Sequence, residues 1–270
     1  MLGRARGLVG MVLTALLFSS FAAAQDAGKK KTQGQVPAKG ETLKPPKPHD
    51  LSGIWLLGPN GIEEMIPEKL HPPMTPWAQA KFDAAIPTMG PRDQLGKEND
   101  PLLKCEPYGV PKILLIPQPF EIVQTPGRMF QFFEMFHIWR TIWTDGRPLP
   151  TDPDPTWMGY SVGKWEGDTF VVDTIGLNEN TWVEFFGYPH SDQMHVTERY
   201  KRVDAKTMTV AVTIEDPKAY TKPWVNPPFA FTLKPTWEIA EHFCIIDEEE
   251  IYGEKIRLPA GGVEVPTEKK

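Results

Sequence analysis

From Lys112 onward, apolar and polar residues alternate with the two-residue period of strands, not the 3.6-residue period of helices. Phe120-Glu-Ile-Val-Gln124 and Arg128-Met-Phe-Gln-Phe-Phe-Glu134 flank Thr-Pro-Gly, which predicts a hairpin. His137-Ile-Trp-Arg-Thr-Ile-Trp143 continues the pattern. Gly159 to Trp165 and Thr169 to Ile175 flank Glu-Gly-Asp, a second hairpin. Gln193 to Arg202 and Thr207 to Ile214 flank Val-Asp-Ala-Lys, a third. Leu51 to Leu57 predicts a first strand, and Phe229 to Phe243 the last one or two. Thr75 to Ala85 reads as a short helix, with Thr75 as N-cap, Pro76 in the first turn and Pro87 as the stop. Gly90 to Pro111 is irregular, and Pro148 to Pro155, rich in proline and aspartate, predicts a loop.

The count is about eight to ten short strands, mostly hairpin-linked, with no alternation of strands and helices that would make a parallel sheet. A meander of this length loses its edges by closing on itself. The expected fold is all-β: an antiparallel up-and-down barrel with one short N-terminal helix and long loops. Such a barrel holds one small ligand or a plug of its own side chains.

The ends of the chain read differently. Arg4 and Arg6 precede an apolar run from Leu8 to Phe21, and Ala22-Ala23-Ala24 offers a small-residue cleavage site. This is the pattern of a secretory signal peptide over 1–24. Residues 25–50 hold little to bury and read as a disordered linker. The barrel domain is expected over 51–247 and a loose tail over 248–270. Export implies a periplasmic or secreted protein, with no membrane insertion once the signal is removed. Cys105 and Cys244 would then meet an oxidising space, where a disulfide competes with two buried thiols.

The chain of 270 residues has formal charge −6, from 29 Lys and Arg against 35 Asp and Glu, and no basic stripe for nucleic acid. Its 29 prolines argue against long helices. No phosphate loop, dinucleotide fingerprint or metal-binding spacing is present, so no cofactor and no metal is expected. Oligomeric state is not legible.

Two resemblances add to this. Gly53-Ile-Trp55, ahead of a hairpin meander, is similar to the Gly-x-Trp start of lipocalin-type (calycin) barrels. The stretch from Cys105 to Cys244 resembles a family of uncharacterised secreted proteins of soil bacteria. The matching text is Pro119-Phe-Glu-Ile-Val-Gln-Thr-Pro126, Thr144-Asp-Gly-Arg-Pro148, Asp154-Pro-Thr-Trp-Met-Gly159, Gly163-Lys-Trp-Glu-Gly-Asp168, Pro189-His-Ser191 and His195-Val-Thr-Glu-Arg199. That resemblance implies no particular activity.

Candidate chemistry follows from the alternation. Glu198 shares a face with Met194, Val196 and Tyr200, so burial would raise its pKa and suit it to acid–base work; an ion pair with Arg140 or Arg199 is the structural alternative. Arg140 lies between Ile138 and Ile142 and could grip an anion. Trp182, Glu184, Tyr188, His190, Ser191, Asp192 and His195 crowd one connection expected to cross a barrel end. His190 and His195 are candidate acid–base partners of Glu198. A Ser191–His195 set oriented by Asp173 or Asp192, and a metal held by His190, His195 and Glu198, are further arrangements to check. Trp157 and Trp182, in loop text, could stack on a ligand, with Arg140, Arg199 and Tyr200 as further contacts. Three functions remain open: a barrel binding a small apolar, aromatic or sugar-like molecule in its cup; a lyase, isomerase or hydrolase using Glu198 with a histidine, and Arg140 or Arg199 as anion clamp; and a barrel plugged by its own tryptophans.

Overall fold

Bulky side chains at every second position decide how the meander curls. The computed structural model describes residues 47–59 and 72–263. The expected leader and most of the linker lie outside the described residues. The strands are β1 (Gly53–Leu57), β2 (Phe120–Thr125), β3 (Arg128–Phe133), β4 (Ile138–Trp143), β5 (Tyr160–Glu166), β6 (Thr169–Ile175), β7 (His195–Arg202), β8 (Thr207–Glu215), β9 (Trp224–Val225) and β10 (Phe229–Leu233). Strands β1 to β8 lie in chain order, and β10 pairs with both β8 and β1, so nine strands close a barrel. Short β9 uses the same edge of β8 as β10 does. The two are one strand interrupted at Asn226-Pro227-Pro228, where the prolines have no N–H for the ladder.

The barrel is not strictly up-and-down. Strands β4 and β5 are parallel, with Ile142 opposite Ser161 and Trp143 opposite Val162. A parallel neighbour needs a crossover. Residues 144–159, which include the proline-rich loop, carry the chain back along the barrel before β5 begins.

One end of the barrel carries the tight turns after β2, β5 and β7; the other is capped. The cap consists of helix α1 (Pro76–Ala84), the short helical turns Pro101–Lys104 and Lys112–Leu115, and the long β6–β7 connection. Thr75 caps α1 as expected: its hydroxyl accepts from Ala78 N at 3.3 Å and donates to Lys218 O at 2.7 Å.

Rings fill much of the lumen. Phe120 lies 5.4 Å from both Phe133 and Phe231, and Phe170 lies 6.5 Å from Tyr200. Gly163 makes room for this packing, because a Cβ there would stand 2.4 Å from the Phe170 ring. At the turn end, Arg202 rests 5.2 Å from the Trp55 ring and donates to Asp50 O and Ala205 O.

The last strand, expected within Phe229–Phe243, ends at Leu233, and the residues after it form a strap. Lys234 N donates to Ile54 O, and Ala240 N donates to Glu134 Oε2 at 3.0 Å. Cys244 is bonded to Cys105 in the cap. Helix α2 (Ile246–Tyr252) and the helical turns that follow to Ala260 end in an Arg257–Glu98 ion pair. Among the described residues, no helix is long and apolar enough to cross a membrane.

The disulfide closes a loop of 139 residues. A Cys244→Ser variant should lose at most about 4–5 kcal/mol, read as a lower urea midpoint with a steeper slope, because the unfolded chain is released from its loop. An unchanged midpoint would mean that the strap docks without its bond.

Candidate functional site

The sequence places its candidate residues at three separate locations. The first is the lumen. Gln131, Arg140, Ser161, Thr174, Glu198 and Tyr200 come from five adjacent strands and are all essentially inaccessible to solvent. Each guanidinium N–H of Arg140 has an acceptor. Nε donates to Ser161 Oγ at 2.9 Å. Nη1 donates to Gln131 Oε1 at 3.2 Å and Glu198 Oε1 at 3.0 Å. Nη2 donates to Thr174 Oγ1 and Glu198 Oε2, each at 2.5 Å. Tyr200 donates to Glu198 Oε1 at 2.6 Å and accepts from Gln131 Nε2 at 2.9 Å.

Burial works against the Arg140 charge, but the Glu198 carboxylate overrides it and holds the guanidinium pKa above its ordinary value. Burial, with Glu198 beside it, pushes the Tyr200 hydroxyl well above the usual phenol range. Arg140 therefore stays charged and Tyr200 neutral at any ordinary pH. The groups are committed to one another, which is the structural ion pair weighed for Glu198.

The second location is the cap. Lys112, Asp100 and Glu184 are buried there. The Lys112 ammonium reaches both oxygens of Asp100, at 3.2 and 3.1 Å, and lies about 5 Å from the rings of Tyr108, Trp182 and Phe185. Burial lowers its pKa, against the pull of Asp100. Glu184 accepts from Phe186 N at 2.6 Å and Tyr188 N at 3.1 Å, so its own loop folds around the carboxylate. Burial nevertheless raises its pKa to about 7.

Beside this core a cleft of about 200 Å³ opens between α1 and the β6–β7 connection. Ala84, Ala85 and Pro189 contribute apolar surface, Trp182 an indole, and Lys81, Asn99, Glu179, Thr181 and His190 polar groups. His190 is buried, and burial lowers its pKa, so the ring is neutral. Its Nδ1 faces Ser191 O at 3.1 Å and must carry the proton, because a carbonyl only accepts. Its Nε2 is then the acceptor for the Thr181 hydroxyl at 2.7 Å. The carbonyl thus fixes the tautomer.

The third location is the outer wall. His195 Nε2 lies 3.0 Å from Asp173 Oδ1, and Nδ1 lies 3.7 Å from Glu215 Oε2. Arg199 is exposed and pairs with Glu166 at 3.1 Å. Trp157 is half-buried in the crossover and does not line the cap cleft. Arg140, Glu198 and Tyr200 therefore meet, as do His190 and Trp182, but neither histidine bonds to Glu198. The Ser191–His195 set is not assembled: Ser191 donates instead to Asp216 Oδ1 at 2.7 Å. Among the described residues, no group of three His, Cys, Asp or Glu side chains is placed to hold a metal.

Sequence reasoning missed Thr181, Lys112 and Asp100, because they lie in irregular segments with no period to show which way a side chain turns. Gln131 was findable, because it sits between Met129 and Phe133 as Arg140 sits between isoleucines. The chain matches no family model, no curated protein and no solved structure.

Two outcomes follow from this chemistry. Glu198→Gln leaves a buried guanidinium under-compensated and should cost about 3–5 kcal/mol in urea unfolding, whereas Arg140→Met with Glu198→Leu should recover much of that loss. A cost under about 1 kcal/mol would show that water reaches the pair. Glu184 binds its proton more tightly in the folded chain, so its contribution is complete below the unfolded carboxyl pKa and is lost as pH rises through about 7. His190 acts oppositely: its contribution is complete above the unfolded imidazole pKa and is lost as pH falls. In thermal melts from pH 5 to 8, Glu184→Gln should remove the alkaline decline, and a wild-type decline surviving in that variant would assign it elsewhere.

Proposed function

We propose that this is an exported binding protein that holds one small sugar-like molecule, in the cap cleft and not in the lumen. The observation that carries the reading is the convergence of an ammonium, a carboxylate, a hydroxyl and a neutral imidazole with one indole around a single small cleft. Polyols offer alternating donors and acceptors on one edge and an apolar face for a ring. The lumen is a poorer host, because its polar groups are sealed from solvent and its rings pack together.

The disulfide supports export. The Gly53-Ile-Trp55 start, on the first strand of a closed barrel, supports lipocalin-like kinship; the ninth strand and the parallel pair depart from that pattern.

One contact favours a second reading, an enzyme. The Thr181 hydroxyl donates to a neutral, tautomer-fixed imidazole, which is the arrangement by which a base activates a hydroxyl. This pair takes the place of Glu198 with a histidine.

Calorimetric titration with monosaccharides, phenolics and fatty acids separates these readings. Saturable binding of a monosaccharide is expected, lost in Thr181→Val, a variant that keeps the side-chain volume. Heat from phenolics or fatty acids alone would refute the ligand class. Monosaccharide binding unchanged in Thr181→Val would refute the cleft. Hydrolysis of ester or glycoside probes that disappears in both Thr181→Val and His190→Gln would establish the enzyme.

A further inference from the structure

Closed antiparallel barrels usually turn polar side chains to the outside. The outer wall of β3 and β4 does the opposite. Its outward positions are Arg128, Phe130 and Phe132 on β3, and Trp139, Thr141 and Trp143 on β4. Arg128 stands opposite Trp143, and Phe132 opposite Trp139. Trp139 is 62% exposed and Phe132 37%.

These side chains form a ladder. Arg147 stacks on Trp143 at 3.7 Å. The Arg128 guanidinium lies 5.7 Å from Trp143 and 5.5 Å from Phe130. Phe130 stacks on Phe132 at 5.8 Å. Trp139 and Trp143 share one face of a strand, so the ladder is about 13 Å long, the span of a short run of linked pyranose rings.

Charge selects the occupant. Asp145 chelates Arg147 through both its oxygens. Arg128 is exposed and has no carboxylate partner among the described residues. A planar guanidinium between two rings is a two-point receptor for a carboxylate, flanked by faces on which sugar rings stack. Glu121 also borders the ladder, opposite Phe132 and several residues from Arg128. The −6 charge of the whole chain disfavours acidic polymers at long range, but salt confines that field to about 8 Å, and the contact is decided locally.

We propose that this wall docks an acidic polysaccharide of the polygalacturonate type, with pyranose faces on Trp139 and Phe132 and one uronate carboxylate on Arg128, which Trp143 backs. This site is separate from the cap cleft, and its failure would leave that reading intact.

Native gel electrophoresis through polygalacturonate, with fully methyl-esterified pectin as the uncharged counterpart, tests the assignment on the full chain. Polygalacturonate should retard the protein, and the methyl ester should do so several-fold less. Trp139→Ala should weaken retardation about tenfold. Arg128→Gln should reduce polygalacturonate binding to the level of the ester. Both side chains are exposed, so thermal melting should not change, and Thr181→Val should bind the polymer like the parent. The proposal is overturned by no retardation, by equal retardation in Trp139→Ala, or by a concentration-dependent dimer that Trp139→Ala abolishes, which would make the wall a self-association surface.

Discussion

A guanidinium and a carboxylate shut inside a β-barrel must find each other and every remaining hydrogen bond, or the barrel does not close. Arg140 and Glu198 meet that demand with Gln131, Ser161, Thr174 and Tyr200. The network binds β3, β4, β5, β6 and β7 at one level and spans the parallel β4–β5 seam. Ladder pairing at that seam covers only two residue pairs. The Arg140 to Ser161 and Thr174 contacts reinforce it from the inside. Desolvating the two ions is expensive, and only full pairing offsets the cost. The gain is specificity, since a one-residue slip of β4 or β7 would turn its ion outward and strand the partner.

Once the lumen is so occupied, the proposed binding site lies elsewhere. The capped end is built from irregular chain, and such chain can position polar groups where a regular strand cannot. Lys112 serves there as a post: three rings and Asp100 surround its ammonium, and the β6–β7 connection lies against it. Trp182 and Phe185 are fixed by that contact, and Trp182 forms one wall of the cleft. The Cys105–Cys244 bond draws the C-terminal strap onto the same end. The scaffold is therefore braced at two levels, by the buried pair in the barrel and by the lysine post in the cap.

The two candidate recognition surfaces differ in physical character. The cap cleft is small and concave, and its imidazole has a fixed tautomer. The β3–β4 wall is open, long and aromatic, and its Arg128 guanidinium, near the Phe130 and Trp143 rings, has no carboxylate partner among the described residues. A small cleft suits a single molecule, and an extended face suits a polymer.

The sequence by itself determined the strand periods, the three hairpins, the helix with its Thr75 cap, and the inward rows that carry Arg140 and Glu198. Each of these is local: a two-residue alternation, a turn dipeptide or a capping hydroxyl is read from neighbours in the chain. Which residues would meet across space was decided only by the tertiary structure. The parallel β4–β5 pair, the merging of β9 with β10 and the docking of the tail depend on connections whose paths leave no periodic trace. Glu198 had Arg140 and Arg199 as candidate partners, and closure of the barrel chose Arg140, because Arg199 lies on the opposite face of its strand. His190 found Thr181 for the same kind of reason. A loop has no period to say which way its side chains turn, and the connection's own antiparallel Trp182–Pro189 bridge sets Thr181 and His190 side by side.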